Sequence, residues 1–261
     1  MSYLVCATPR SGSTLLCETL RGTGVAGNPL EFFEALPETG VPRRPLDYLV
    51  GLEDPDALGL VERAPPHNAP PYSDLRGCVS YDEHLAKVRR EGTTPNGVFG
   101  AKIMWAHLED LGRRLGAADL GALVDELFDR PHFVWVRRQD TVRQAVSLWR
   151  AMQTQSWRAE NEPGGGEPRY SFAALHHLVS LLVAHDAAWE RFFAATDRVL
   201  TLTYEEISSD LAGSLERTLA HIDVEPPDGA LEALPNMRRQ ADERSDEWVA
   251  AYGRDALTAA R

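Results

Sequence analysis

Positive charge is scarce in this chain. Lysine and arginine together number 27 against 39 aspartates and glutamates, leaving a formal net charge of −12. So acidic a protein repels nucleic acid and anionic membrane, which argues against nonspecific binding to either. A polyanionic small molecule must instead be met by a few basic residues gathered at one place. Cysteine is scarcer still, with Cys6, Cys17 and Cys78 standing far apart and without ligand spacing. An odd, scattered set speaks against a disulfide framework or structural zinc, and suits reduced thiols in the cytosol. No apolar run approaches the roughly 18 residues that span a bilayer, so membrane insertion is not expected. The start, MSYLVCATPR, lacks a basic leader, which argues against a signal peptide and for a cytoplasmic protein. Of the histidines, His176, His177 and His185 share one helical stretch but lack the i,i+4 spacing of a metal pair.

What is present alternates. Short apolar runs at 3–7, 97–105, 132–138 and 198–204 read as strands. Between and after them, helical periodicity runs from Ser13 to the breaker Gly22, and over 81–91, 120–128, 140–155, 172–193 and 205–222. A last helix ends the chain beyond a Pro-rich break, and there are no internal repeats. Apolar strands alternating with helices predict an α/β fold: a central, mainly parallel sheet covered on both faces, a P-loop NTPase-like three-layer sandwich. The length suits a single domain over 1–261. Residues 37–75 are Pro-rich and poorly periodic, and read either as a linker or as an ordered excursion carrying the apolar patches DYLVGL and DALGLV. Residues 160–169, ENEPGGGEPR, read as a flexible loop.

In such sheets ligands bind where strands end and loops enter helices. The first such loop is TPRSGST, residues 8–14. It resembles a nucleotide-binding P-loop, but Ala7 stands where the first glycine belongs and Ser13 where the lysine belongs. Its backbone amides, with Ser11, Gly12, Ser13 and Thr14, suit a phosphate dianion, and Arg10 adds a fixed positive charge. A bland alternative is a strand-turn-helix whose hydroxyls only cap the helix. A kinase or NTPase would also want an acidic residue at another strand end to hold magnesium, whereas the third strand ends in Arg137-Arg138.

TPRSGSTLL resembles the 5′-phosphosulfate-binding loop of sulfotransferases that use 3′-phosphoadenosine 5′-phosphosulfate (PAPS), with Arg10 in the place of that loop's usual lysine. The family's second signature, a strand-end arginine followed by a helical serine on the 3′-phosphate, is matched by Arg138 and Ser147 in VRRQDTVRQAVSLWRA. Their separation is one residue longer than in many members, which calls either for a local adjustment or for Arg143 to share the contact. The blocks GTGVAGNPLEFF, TTPNGVFGAKIMW, QAVSLWRAMQT and RQADERSDEWV are similar to the bacterial trehalose 2-sulfotransferase subfamily and run from first strand to last helix.

That resemblance implies the sulfotransferase fold, PAPS as co-substrate, adenosine 3′,5′-bisphosphate as product, no metal, and a small-molecule hydroxyl acceptor such as trehalose or another sugar-containing compound. Animal cytosolic members use a strand histidine as base; here that stretch reads Lys102-Ile103-Met104, and the subfamily pattern implies Glu31 instead. Glu31 is flanked by Leu30, Phe32 and Phe33, a setting that raises a carboxylate's basicity by desolvation. Arg10 is assigned to the bridging oxygen of the leaving group. Lys102 either touches the sulfuryl group or is a structural strand-end lysine. Tyr204 is expected near the adenosine, and Arg239 and Arg244 over the 3′-phosphate, with an Arg239–Asp242 pair as the bland alternative. Phe33, Trp105, Gln153 and Trp157 are candidates for the acceptor site, each aromatic being equally a core residue. The subfamily includes homodimers. The rival readings are a P-loop kinase or NTPase and a non-catalytic adenosine-bisphosphate sensor of the same fold.

Overall fold

The structure, a computed structural model, describes residues 1–64, 74–75, 80–157, 167–226 and 243–259. The chain divides into two compact units. The first comprises Met1–Pro42, Ala69–Gln139 and His185–Asn236; the second comprises Arg43–Asn68, Asp140–Ala184 and Met237–Arg261.

In the first unit, β1 (Ser2–Ala7) leads into α1 (Ser13–Gly22). Later come α3 (Tyr81–Gly92), β2 (Phe99–Met104), α4 (Trp105–Leu115), α5 (Leu120–Phe128) and β3 (His132–Arg137). It closes with β4 (Val199–Thr203), α8 (Tyr204–Ser209) and α9 (Leu211–His221). The second unit holds a 3-10 helix (Pro45–Leu49), α2 (Pro55–Glu62), α6 (Thr141–Thr154) and α10 (Glu243–Ala259). A long helix, α7 (Phe172–Phe193), begins in the second unit and passes into the first at His185.

The four strands form one parallel sheet in the order β2-β1-β3-β4. Strand periodicity explains why both faces are covered. On β1, Tyr3, Val5 and Ala7 join one buried cluster with Leu16, Leu20, Leu215 and Leu219. Leu4 and Cys6 point the other way, among Phe33, Leu108, Leu111, Phe128 and Trp189. β3 alternates likewise, Val134 and Val136 facing the first cluster and Phe133 and Trp135 the second. The result is the expected three layers, helices on both faces of a parallel sheet.

Strand order also fixes where a ligand can enter. β1 is flanked by β2 and β3, so the chain first winds to one side of it and then crosses back to the other. That reversal opens a crevice at the carboxyl end of β1, where the loop 8–14 emerges.

Several sequence readings needed adjustment. Trp105, read as the end of the strand 97–105, instead begins a helix, Trp105–Leu115, where the sequence reading had assigned no element. The stretch read as one helix over 205–222 is two, because Asp210 ends α8 and its side chain then accepts from the amide of Gly213 to cap α9. Tyr204 is the first residue of α8, which Thr203 and Glu206 cap reciprocally. The described part of the Pro-rich segment carries the 3-10 helix and α2, whose Asp54 side chain accepts from the amide of Ala57. Among the described residues no helix is long and apolar enough to cross a membrane. No group of His, Cys, Asp and Glu among them could hold a metal ion. Cys6 and Cys17 are buried free thiols; Cys78 and most of the 160–169 loop lie outside the described residues.

Candidate active site

The loop after β1 is a narrow turn set by two left-handed residues, Arg10 at φ 64° and Gly12 at φ 88°. A non-glycine residue in that region costs on the order of 1 kcal/mol, so Arg10 is held there by its surroundings. Ser11 N–H donates to Thr8 C=O at 3.3 Å and closes the turn. Gly12 is the N-cap of α1, with no side-chain cap and no acidic residue in the first turn. The first amides of α1 therefore meet the crevice without an internal carboxylate competing for them. The Ser11 hydroxyl is fully buried and makes no hydrogen bond among the described residues. Such a donor is costly unless something polar satisfies it. Ser13 is buried and Thr14 half-buried on the first turn of α1.

Two arginines and a tyrosine surround this loop. Arg138, just past β3, donates from Nη1 to the Arg10 carbonyl at 3.4 Å, and its guanidinium lies 4.3 Å from the centre of the Tyr204 ring. Tyr204 in turn occupies the space a side chain at position 12 would need, since a Cβ there would come within 2.7 Å of its Cδ2. Burial and the neighbouring charge of Arg138 push the Arg10 guanidinium down to about 10, with Tyr204 acting in the opposite sense. Both arginines stay charged at neutral pH, and two like charges held this close favour an anion between or beside them.

A second constellation lies at β2. Residues 28–32 run beside that strand: Leu30 bridges Ala101, and the Lys102 amide donates to Leu30 C=O at 2.9 Å. Asn28 ties this strap to α3 through its amide on Gly92 C=O at 2.9 Å and its side chain on Glu91 C=O at 3.0 Å. His84, buried on α3, donates from Nε2 to Phe32 C=O at 3.0 Å. The strap thereby fixes Glu31, whose carboxylate is ion-paired with Lys102. Lys102 Nζ also donates to Thr14 Oγ1 at 3.0 Å. Its side chain is only 5% exposed, whereas that of Glu31 is 27% exposed and so reachable by a solute. Burial works against the Lys102 charge, and the attraction of Glu31, helped by Cys17 and Glu34, more than offsets it, so Lys102 titrates above the ordinary lysine value.

The last part of α7 braces the root of the loop. Trp189 Nε1 donates to Ala7 C=O at 3.1 Å, and Thr8 Oγ1 donates to Asp186 Oδ1 at 3.3 Å. Asp186 is buried, which pushes its carboxyl up to about 6; Arg137 and the Thr8 hydroxyl pull the other way. Sequence reasoning had missed it. The signal was there, because Asp186 interrupts the apolar stripe Leu175, Leu178, Leu182, Trp189, Phe193 at helical spacing.

The other expected site residues fall as follows. Phe33 is buried against Phe128 and His84, and Trp105 packs edge-on to Trp189 and Phe192. In the second unit Ser147 is half-buried on α6. Gln153 is bound at both ends of its amide to the Arg169 backbone, and Trp157 Nε1 donates to Gln155 Oε1 at 3.1 Å. Arg143 is engaged by Asp140 and Asp246, and Arg244 by Glu167. Arg239 and Asp242 lie outside the described residues.

Known proteins resemble this chain in sequence and in fold. The trehalose 2-sulfotransferase of Mycobacterium tuberculosis (strain ATCC 35801 / TMC 107 / Erdman) is 38% identical over 263 aligned residues, covering 97% of this chain and 95% of that protein. The trehalose 2-sulfotransferase of Mycolicibacterium smegmatis (strain ATCC 700084 / mc(2)155) is 36% identical over 264, covering 98% and 95%. Among solved structures, the sulfotransferase domain from the curacin biosynthetic pathway has a TM-score of 0.51 at 14% identity, covering 93% of this chain and 81% of that one. The sulfotransferase STF9 from Mycobacterium avium has a TM-score of 0.50 at 15% identity, covering 99% and 76%. These two share the fold. The profile of the Stf0 sulphotransferases matches residues 2–255, and the chain belongs to that family.

Proposed function

We propose that this sulfotransferase moves the sulfuryl group of PAPS to a hydroxyl of trehalose, with Glu31 as general base. The observation that carries the reading is the joining of Glu31 to Thr14 of the donor loop through Lys102. It sets a partly exposed carboxylate beside the loop suited to a phosphosulfate. The two trehalose 2-sulfotransferases that resemble the chain over nearly its whole length support the acceptor.

On this reading the amides of the loop and the hydroxyls of Ser11, Ser13 and Thr14 bind the 5′-phosphate around Gly12. Arg10 neutralises the bridging oxygen as the sulfur–oxygen bond breaks. Arg138 takes the 3′-phosphate. Tyr204, already stacked on Arg138, orients that arginine as well as bordering the adenosine. Sulfuryl transfer asks little covalent help of a protein; alignment and charge stabilisation carry it. Glu31 accepts the hydroxyl proton as its oxygen attacks sulfur. The residues are suited to adenosine 3′,5′-bisphosphate as leaving group, since cations rather than a metal-binding carboxylate stand at these strand ends.

Incubation of the protein with PAPS and trehalose, read by mass spectrometry, is expected to give trehalose heavier by one SO₃ and an equal amount of adenosine 3′,5′-bisphosphate. Absence of product with trehalose, while another disaccharide or a glycolipid is sulfated, would refute the acceptor alone. Absence with all of them would refute the activity.

A further inference from the structure

One ammonium group serves both halves of the proposed site. Lys102 Nζ is bound to Thr14 Oγ1 of the donor loop and to the Glu31 carboxylate of the strap. Three segments face this point. β2 brings Lys102. The strap brings Glu31, and the buried Glu34 follows two residues after it, both attracting the ammonium. α1 brings Thr14 and Cys17, and the charges of Glu18 and Arg21 are felt at Cys17. An ammonium held against a carboxylate weakens it as a base. Glu31, as it stands, is therefore poorly prepared to take a proton, although it is the carboxylate placed beside the donor loop.

Building on the function proposed above, we infer that Lys102 is an exchange group. Seating the phosphosulfate draws its ammonium from Glu31 onto the sulfuryl oxygens, and only then does Glu31 become a competent base. The transfer step itself balances in the usual way. The acceptor oxygen–sulfur bond forms, the bond from sulfur to the 5′-phosphate oxygen breaks, and its electron pair leaves on the bisphosphate. The hydroxyl proton passes to Glu31. What the exchange adds is order: Lys102 meets negative charge on the transferring group at the same moment that it releases the base. A sugar hydroxyl arriving before the donor finds a quenched carboxylate.

Proton counting tests this without an acceptor present. Calorimetric titration of PAPS into the protein, in buffers of different ionisation enthalpy near about pH 4.5, gives the protons taken up on binding. Comparison with Glu31→Gln cancels the titration of the donor's own 3′-phosphate. Wild type is expected to take up a few tenths of a proton more than Glu31→Gln, as the released carboxylate recovers an ordinary or raised proton affinity. In Lys102→Met that excess should vanish. Equal uptake by wild type and Glu31→Gln overturns the exchange. So does an excess that persists in Lys102→Met, which assigns the proton to direct repulsion between donor and Glu31. Should Lys102→Met not fold, Lys102→Gln, which also removes the ammonium, takes its place in the second comparison. Failure of PAPS to bind at all overturns the donor assignment itself, a result separate from PAPS binding with no excess proton.

Discussion

Replacing Gly12 with alanine should damage donor binding through two additive strains that can be separated. The first is backbone: φ is 88° at this position, where a Cβ costs on the order of 1 kcal/mol. The second is steric. The new Cβ would lie 2.7 Å from Tyr204 Cδ2 and 3.7 Å from Tyr204 Cβ, so the ring cannot simply swing its far end away. Restoring an ordinary carbon contact moves the ring by about 1 Å, away from its stacking on Arg138 at 4.3 Å, a contact worth about 0.5–1 kcal/mol. The loop can relax when empty but must return to its shape around the bisphosphate. The expected loss is therefore about 2 kcal/mol, or roughly 30-fold weaker binding of adenosine 3′,5′-bisphosphate. Isothermal titration calorimetry measures it, with a thermal melt to confirm folding. Removing the ring with Tyr204→Leu should cancel the steric part, so that Gly12→Ala costs only about 1 kcal/mol in that background. Wild-type affinity in Gly12→Ala, or full additivity of the two substitutions, would refute the account.

Three further expectations follow from the same residues. Glu31→Gln should abolish turnover while leaving adenosine 3′,5′-bisphosphate affinity nearly intact; unchanged turnover in a coupled PAPS assay would remove Glu31 from the mechanism. Arg138→Ala should weaken bisphosphate binding by about 1.5–3 kcal/mol, the worth of a lost charged hydrogen bond, and equal affinity would count against its role. Asp186 gives a pH-dependent test: its carboxyl is pushed up to about 6 from 3.8, so between those values the native state binds a proton the unfolded state has released. Its contribution to stability therefore falls as pH rises through that window and is constant above it, a difference approaching 3 kcal/mol. Urea unfolding should show Asp186→Asn more stable than wild type at about pH 8 and no more stable at about pH 4; destabilisation at the higher pH would reverse the sign.

The parts of this protein that local chemistry dictates were legible in its sequence. Tyr3 to Ala7 are apolar and end at Pro9, and a donor-rich loop followed by Leu15, Leu16 and Leu20 leaves little choice but strand, turn and helix. Arg138 at a strand end could be read the same way. What escaped depended on partners distant in sequence. α4 begins directly at the end of β2, so the apolar run hides the change of period from two to 3.6. The tie from Lys102 to Thr14 requires the parallel register of β1 and β2 to be known, since it sets Lys102 on the face that α1 covers. Gln153, a polar residue that suggested a sugar, has its amide bound to the Arg169 backbone, which no spacing rule foretells.

The contact of Tyr204 with Gly12 and Arg138 has a practical consequence. An aromatic ring shifts the magnetic resonance of protons above its face and at its edge, and this ring has the loop 8–14 at one side and the Arg138 guanidinium at 4.3 Å. The Gly12 α-protons and the Arg138 side chain thus form an intrinsic reporter of loop occupancy. Filling the site with nucleotide would be visible there in the unmodified protein, before any acceptor is known to react.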